Sequence, residues 1–258
     1  MRSDLRPAGE LAVVVAVYNS APSLQELAER LLAYWQGRDI SVHLVLVDDG
    51  STDNSWQVLC RLAEDNSAIL AVRLRRNFGQ QNALLCGLQL AGGHRYLITM
   101  DDDLQHPPEL GGSLYDRAKE GYDLVYAIPN IRHRPLYRRL GAALRDGLFA
   151  LCTHKPKGIK VSAYRIMTGE LAKKICAGAR EFVYLSAASF LHSPRVDNLP
   201  FSQPPRRYGR SGYTLRRLTE LYWKLFVYYT APGSLFRPRE RGVPYEINSR
   251  MGGWEDDE

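Results

Sequence analysis

Hydrophobic and polar positions alternate in blocks through the first half of the chain. Short apolar runs rich in Val, Leu and Ile are separated by longer segments whose apolar residues recur at helical spacing. The short runs predict buried strands and the spaced segments predict amphipathic helices. We predict strands at residues 11–18, 42–47, 68–74, 96–100 and 122–128, with a helix in each interval between them.

Strands that alternate with helices predict an α/β fold with a mainly parallel central sheet and helices on both faces. Ligands of such sheets bind beyond the carboxyl ends of the strands. Three polar clusters fall there: "VYNS" after the first strand, "VDDGS" after the second and "TMDDDLQ" after the fourth. We therefore expect a single ligand site at this edge of the sheet.

The second half of the chain has a different character. Residues 132–152 and 214–229 predict two amphipathic helices that combine a leucine stripe with flanking arginines. Such helices either pack on the core or lie in a membrane interface, and the aromatic and basic residues favour the interface. Residues 160–203 predict short strands and a helix. Residues 231–258 predict a mostly disordered tail.

Composition narrows the candidate functions. The 258 residues allow one large domain, and the net charge of +6 favours anionic partners such as nucleotides, phosphorylated substrates or an anionic membrane. Four dispersed cysteines without a CxxC pair argue against a zinc site or a disulfide framework and fit a reducing compartment. No stretch approaches the roughly 20 apolar residues of a membrane-spanning helix, so we expect none. GxGxxG and P-loop patterns are also missing from the sequence.

The acidic run after the fourth strand is the clearest chemical signal. Asp101 and Asp103 have the i, i+2 spacing that lets two carboxylates face one divalent cation, and Gln105 adds a neutral oxygen. The alternative is a helix start, because acidic residues before Pro-Pro-Glu suit an N-terminal dipole. The cluster "VDDGS" after the second strand also allows two interpretations. Its residues suit helix caps, and Asp49 could also accept hydrogen bonds from a base or ribose.

Six segments occur in the order known from one enzyme family: "VAVYNS", "VDDGSTDNS", "RRNFGQQNALLCGL", "DDDLQHPPE", "SAYR" and "RRYGRSGY". The chain resembles the family 2 glycosyltransferases, which have the Rossmann-like GT-A fold, over roughly residues 11–230. Within this family it resembles the polyprenyl-phosphate branch. The resemblance implies a domain over 1–230, with a nucleotide-sugar-binding half at 11–128 and an acceptor and membrane-interface half at 129–230.

The resemblance also implies a set of site residues. The nucleotide of the donor would contact Ala16, Tyr18, Val47 and Asp49, with Asp101, Asp102 and Arg165 also on the donor side. Asp103 and Gln105, together with Asp101, would hold Mg²⁺ or Mn²⁺. Arg138 and Arg206 would bind phosphates, and Asp103, Arg138 and Arg206 would serve catalysis.

The nature of the acceptor follows from the nucleophile. A hydroxyl acceptor needs a general base, whereas a lipid phosphate is already an anion and needs cations to hold it. The second half is rich in arginine, and Glu181 is the one carboxylate near the position where hydroxyl-accepting relatives place their base. The leading interpretation is therefore an inverting, metal-dependent transfer from a nucleotide sugar to a polyprenyl phosphate such as undecaprenyl phosphate.

Two alternatives remain open from the sequence. One is transfer to a hydroxyl acceptor in cell-surface glycan synthesis; the other is a catalytically weak, nucleotide-sugar-binding partner of a membrane protein. The second is suggested by Ser20, Pro129 and Ile159, where the family pattern usually has Glu, Arg and Asp; Ala16 replaces a common Pro. We expect a cytoplasmic protein, peripheral on the inner face of the cell membrane. Homo-oligomers stay open, and nucleic-acid binding is not expected, because the aromatic residues cluster with leucines.

Overall fold

The computed structural model describes residues 9–130, 147, 153, 155–179, 183–192, 195–202, 223–224, 226–229 and 244–253. The first half of the chain contains β1 (Leu11–Val17), α1 (Ala21–Gln36), β2 (Val42–Asp48), α2 (Ser55–Asp65), β3 (Ile69–Leu74), α3 (Gln80–Leu90), β4 (Tyr96–Asp101), α4 (Pro108–Lys119) and β5 (Leu124–Pro129). It is followed by β6 (Arg165–Thr168), α5 (Gly169–Ala177), α6 (Leu185–Phe190), β7 (Val196–Phe201) and β8 (Ile247–Gly252). The five strands predicted for the first half are confirmed.

The strands form a single eight-stranded sheet in the order β7-β5-β6-β4-β1-β2-β3-β8. Strands β1 to β4 are parallel, and β5 is parallel to β7, whereas β6 and β8 run antiparallel to their neighbours. The chain builds outward from β1 through β2 to β3 and then crosses back to place β4 on the other side of β1. This reversal leaves a crevice between the carboxyl ends of β1 and β4, where open α/β sheets bind ligands.

Helices cover both faces of the sheet, as the sequence predicts. One core lies between the sheet and α1, α2 and α4, and contains Leu27, Leu59 and Leu114. The other lies between the sheet and α3, α5 and α6. Every residue of β1 is buried, because the strand is central and covered on both sides. This explains why its sequence is a continuous apolar run without alternation.

The prediction of a disordered tail over residues 231–258 is wrong for its C-terminal part. Ile247–Gly252 forms β8, which pairs antiparallel with β3 and covers that edge of the sheet. Ile247 and Met251 are partly buried and pack against the two different cores, while Arg250 is exposed. Gly252 adopts φ +72° and lies so close to the Ile69 carbonyl that a Cβ atom would be 2.6 Å from its oxygen. A short edge strand with half-buried alternation carries too few apolar residues to stand out in a sequence.

The two predicted interfacial helices fall largely outside the described residues. Gly147 is helical in the first segment, and residues 223–224 and 226–229 are helical in the second. Within this second part Val227 is buried and Trp223 is exposed. Within the described residues, none of the helices has the length and apolar character needed to cross a membrane.

Two histidines meet at the amino edge of the sheet, opposite the crevice. His94 Nδ1 lies 2.9 Å from the Ala91 carbonyl oxygen and must donate to it, so His94 Nε2 accepts from His43 Nδ1 at 2.7 Å. Burial, and then the neighbouring His94, lower the pKa of His43 to about 4; burial also lowers the pKa of His94. The pair is therefore held in its neutral form.

The histidine pair predicts acid sensitivity. The unfolded chain binds a proton at His43 near pH 6.5 but the folded chain only near pH 4, so stability is lost as the pH falls through this interval. His43→Gln can still donate to His94 but cannot be protonated. Between pH 7 and pH 5, the wild type should lose about 1 kcal/mol more unfolding free energy than the variant, after allowance for solvent screening. Urea unfolding at both pH values measures this, and equal losses would contradict it.

The β8 strand predicts that a segment remote in sequence stabilises the first half of the chain. Removing residues 244–258 uncovers the β3 edge and exposes the apolar surface packed under Ile247 and Met251. We expect the unfolding free energy to fall by about 2–4 kcal/mol and the melting temperature by about 5–15 °C. Removing only residues 254–258 is the matched control and should leave the melting temperature unchanged. Similar values for the two truncations would show that β8 contributes nothing.

Candidate active site

The carboxyl ends of β1 and β4 are joined by a direct hydrogen bond across the crevice. The Tyr18 backbone N–H donates to Asp102 Oδ2 at 3.2 Å. In the parallel pairings next to it, Ala16 lies opposite both Val47 and Asp101. The structure thus brings together the three loops that the sequence predicts to converge. The Tyr18 side chain is 47% exposed at the mouth of this crevice.

Asn19 ties the loop after β1 to the loop after β2. Its backbone has φ +52°, and its side-chain oxygen accepts from the Thr52 backbone N–H at 2.8 Å. Its own N–H donates to Ser51 Oγ at 2.9 Å. Ser20 holds the N-cap position of α1 without a side-chain cap bond, and its hydroxyl donates to the Tyr18 carbonyl. Asn19 therefore serves to connect the two loops.

Asp49 fixes the turn that precedes α3. The carboxyl group is 3% exposed, and its two oxygens accept from the backbone N–H groups of Phe78 at 2.7 Å and Gly79 at 2.9 Å. Burial raises the pKa of Asp49 to about 6, although these two hydrogen bonds oppose the shift. Gly50 has φ +70°, and a Cβ atom there would be 2.5 Å from the Arg76 backbone. The "DDG" sequence thus allows the two loops to approach closely.

The acidic loop after β4 has an unusual backbone. Leu104 is buried and has φ +60°, a left-handed conformation that is rare for a non-glycine residue and is often found at functional sites. This turn lets the Gln105 N–H donate to Asp103 Oδ1 at 3.1 Å. The loop is closed by His106, whose Nδ1 accepts from the Asp101 backbone N–H at 3.0 Å.

His106 is a site residue that sequence reasoning missed. Its ring is buried and stacks on Tyr164, with ring centroids 4.7 Å apart and planes inclined by 28°. Because Nδ1 accepts from Asp101, Nε2 carries the proton and faces Asp101 Oδ2 at 3.8 Å. The histidine of "DLQHPPE" was visible in the sequence, but its role depends on Tyr164, which lies far along the chain, directly before β6.

The three carboxylates do not form a self-contained metal cage. Asp101 accepts from the Gln80 side chain, Asp102 from Tyr18 and Asp103 from Gln105, so each is held by a different neighbour. Burial is the main cause that raises the pKa of Asp102 to about 6. Within the described ranges, no three His, Cys, Asp or Glu residues are grouped to hold a metal ion. These oxygens fit a site that is completed by substrate phosphates, as is usual for Mg²⁺.

Arg165 lies in the core and not at the open edge. It is 1% exposed, its Nε donates to Thr99 Oγ1 at 3.2 Å, and its guanidinium donates to Ser186 Oγ at 2.8 Å. The guanidinium also lies over the Tyr126 ring, 5.8 Å from its centroid. The structure does not support the expected contact with the nucleotide and instead shows an arginine that joins β4, β6 and α6. Arg138, Arg206 and Glu181 lie outside the described residues.

A mainly parallel sheet with an acidic loop across its switch point defines an α/β protein with a polar site at the carboxyl ends of β1 and β4. The family model described as glycosyl transferase family 2 matches residues 12–155. The chain belongs to glycosyltransferase family 2 and is a glycosyltransferase.

Two curated relatives have the same name. They are the undecaprenyl-phosphate 4-deoxy-4-formamido-L-arabinose transferases of Edwardsiella ictaluri (strain 93-146) and Yersinia pestis bv. Antiqua (strain Angola). The first is 35% identical over 227 residues, which cover 86% of this chain and 69% of the relative. The second is 33% identical over 228 residues, which cover 87% of this chain and 68% of the relative.

Solved structures confirm the GT-A fold. Glucosyl-3-phosphoglycerate synthase of M. tuberculosis superposes with a TM-score of 0.56 at 17% identity, covering 85% of this chain and 78% of that one. A complex of this synthase with Mn²⁺, UDP and glucosyl-3-phosphoglycerate superposes with a TM-score of 0.54 at 17% identity and the same coverage. S. aureus TarS with UDP-GlcNAc gives 0.55 at 16% identity, covering 88% of this chain and 69% of that one. These identities support the fold alone.

The geometry at Asp49 predicts the effect of a single-atom change. In Asp49→Asn one side-chain oxygen becomes an NH₂ group that faces a backbone N–H, so one of the bonds to Phe78 or Gly79 is lost. We expect binding of UDP or GDP, whichever binds the wild type more tightly, with MnCl₂ to weaken about ten-fold, measured by calorimetry. Asp39→Asn, in an exposed turn with φ +55°, is the control. Unchanged binding in Asp49→Asn would contradict this role for the turn.

Proposed function

We propose that this glycosyltransferase moves a sugar from a nucleotide-sugar donor to a polyprenyl phosphate of the undecaprenyl type. The observation that carries the proposal is the row of three carboxylates at the switch point, each held by a separate hydrogen bond. Such an arrangement is suited to a diphosphate that arrives with a divalent cation. The acceptor is supported by the names of the two curated relatives.

The donor would lie across the carboxyl ends of β1, β2 and β4. Ala16, Tyr18, Val47 and Asp49 would border the space for the nucleoside, and Asp101 and Asp102 the space for the diphosphate. Of these, Ala16, Val47 and Asp49 are buried, and Val47 would act through packing. Asp103 and Gln105, with Asp101, would hold Mg²⁺ or Mn²⁺. When bound, this cation would neutralise charge on the leaving nucleoside diphosphate.

A lipid phosphate acceptor simplifies the chemistry. One of its oxygens forms a bond to the anomeric carbon while the bond from that carbon to the diphosphate breaks, and the configuration is inverted. The attacking oxygen carries no proton that a base must remove. In the second half Arg138 and Arg206 would bind the phosphates. The segments 132–152 and 214–229 would lie in the interface on the inner face of the membrane, which places the site next to its lipid substrate.

The test is transfer of radiolabelled sugar from a panel of nucleotide sugars to undecaprenyl phosphate, with MgCl₂ or MnCl₂. We expect an organic-extractable product that EDTA suppresses and that Asp103→Ala reduces at least 10³-fold, which is about the effect of losing an electrostatic contact to the leaving group. Asp116→Asn is the matched control, because Asp116 lies at the surface paired with Arg38.

Two results would overturn the proposal. One is efficient transfer to a soluble oligosaccharide, abolished by Glu181→Gln, which would indicate a hydroxyl acceptor and a general base. The other is donor binding by the wild type without multiple turnover on any acceptor, which would indicate a binding partner of a membrane protein.

A further inference from the structure

Helix α3 begins with two consecutive glutamines that contact opposite halves of the chain. The Gln80 amide nitrogen donates to Asp101 Oδ1 in the acidic loop. Gln81 Oε1 accepts from the Leu185 backbone N–H at 3.0 Å, at the start of α6. Neighbouring residues on a helix point about 100° apart, so one short segment can reach two different partners. Gln80 has appeared above only as a hydrogen-bond donor to Asp101, and Gln81 has been given no role.

The direction of each hydrogen bond follows from its partner. The Asp101 carboxylate only accepts, so Gln80 must present its nitrogen. The Leu185 backbone N–H only donates, so Gln81 must present its oxygen. The two glutamines are therefore chemically opposite: one is needed as a donor and the other as an acceptor.

The start of α3 is a fixed base for these two side chains. Asp49 holds the turn directly before it through the backbone N–H groups of Phe78 and Gly79. Residues 83–88 of the helix are all buried against the sheet. Gln80 is exposed and Gln81 is half-buried, so both reach away from this packed surface. Movement of either partner relative to α3 would break a hydrogen bond.

Leu185, the partner of Gln81, lies in the segment 184–186, which forms hydrogen bonds with α3, with β6 and with the helical residues 226–229. Ser186 accepts from Arg165 of β6 at 2.8 Å, and the Tyr184 N–H donates to the Tyr229 hydroxyl at 3.0 Å. Tyr229 belongs to the helical residues near the C-terminal end of the acceptor half. The segment 184–186 thus connects the sheet, the donor half and the second predicted interfacial helix.

We propose that Gln80 and Gln81 are positioning residues for sugar transfer. Gln80 sets the orientation of the Asp101 carboxylate toward the donor, and Gln81 holds the segment 184–186 of the acceptor half on the same turn of α3. Together they fix the position of the acidic loop relative to the segment 184–186, and so of the donor half relative to the acceptor half. This inference rests on the proposed function and assigns it two further residues.

The test uses the same substitution at both positions. Gln80→Glu removes the donor and places a second carboxylate against Asp101, whereas Gln81→Glu keeps an oxygen that accepts from Leu185. Acidic residues are favourable in the first turn of a helix, so neither change disfavours α3 itself. Gln80→Met and Gln81→Met remove the polar group at similar length, and Gln36→Ala at the exposed end of α1 is the control.

The expected results differ for the two sites. Calorimetry with UDP or GDP, whichever binds the wild type more tightly, and MnCl₂ should show about ten-fold weaker binding for Gln80→Met and a larger loss for Gln80→Glu. Gln81→Met should raise the KM for undecaprenyl phosphate about five-fold, with Gln81→Glu restoring the wild-type value. Hydrogen exchange of the Leu185 amide should accelerate in Gln81→Met and not in Gln81→Glu.

Three outcomes would overturn the inference. The first is a Gln80→Glu variant that binds the nucleotide with wild-type affinity. The second is an equal change in the KM for undecaprenyl phosphate in Gln81→Glu and Gln81→Met. The third is a fall in melting temperature of the variants while nucleotide affinity, KM and exchange of the Leu185 amide stay unchanged. A wild type that makes no lipid product refutes the proposed acceptor instead. Calorimetry and Leu185 exchange then still decide the roles of Gln80 and Gln81, because neither measurement needs an acceptor.

Discussion

The central strand β1 pairs with β2 on one side and β4 on the other, and the polar loops of the site take their positions from these two pairings. Because β1 is buried on both faces, its register with its neighbours is strongly specified. Ala16 therefore lies beside both Val47 and Asp101, and the Tyr18 N–H reaches Asp102. The apolar interior of the sheet thus determines where the carboxylates at its edge are placed.

The site concentrates negative charge in a protein whose net charge is +6. Burial raises the pKa of Asp49 and of Asp102 to about 6, so burial disfavours the charged form of both carboxylates. The backbone N–H groups of Phe78 and Gly79 at Asp49, and of Tyr18 at Asp102, offset part of this cost. A cation that enters with a diphosphate would supply the rest, which is a physical reason for a site completed by its substrate.

Segments that are remote in sequence stabilise the first half of the chain. Strand β8 lies on the β3 edge, with Arg75 and Glu246 forming an ion pair at 3.0 Å next to it. Arg165 joins β4 to α6 from within the core, and Gln81 joins α3 to the same helix. Residues 129–230 thus contribute β6 and β7 to the same sheet as the first half of the chain, and they also contact the start of α3 next to the acidic loop.

The sequence alone determined the strands of the first half, the helices between them and the edge at which the polar clusters meet. These features depend on local periodicity and on the rule that parallel strands share a carboxyl edge. The motif pattern also identified the acidic loop. Only the tertiary structure showed that β8 completes the sheet, that Arg165 is buried, and that His106 and Gln80 hold the loop. The positions of Arg165, His106 and Gln80 depend on contacts with residues distant in the chain, and β8 is an edge strand with few apolar residues. The local hydrophobic pattern contains no information about such contacts.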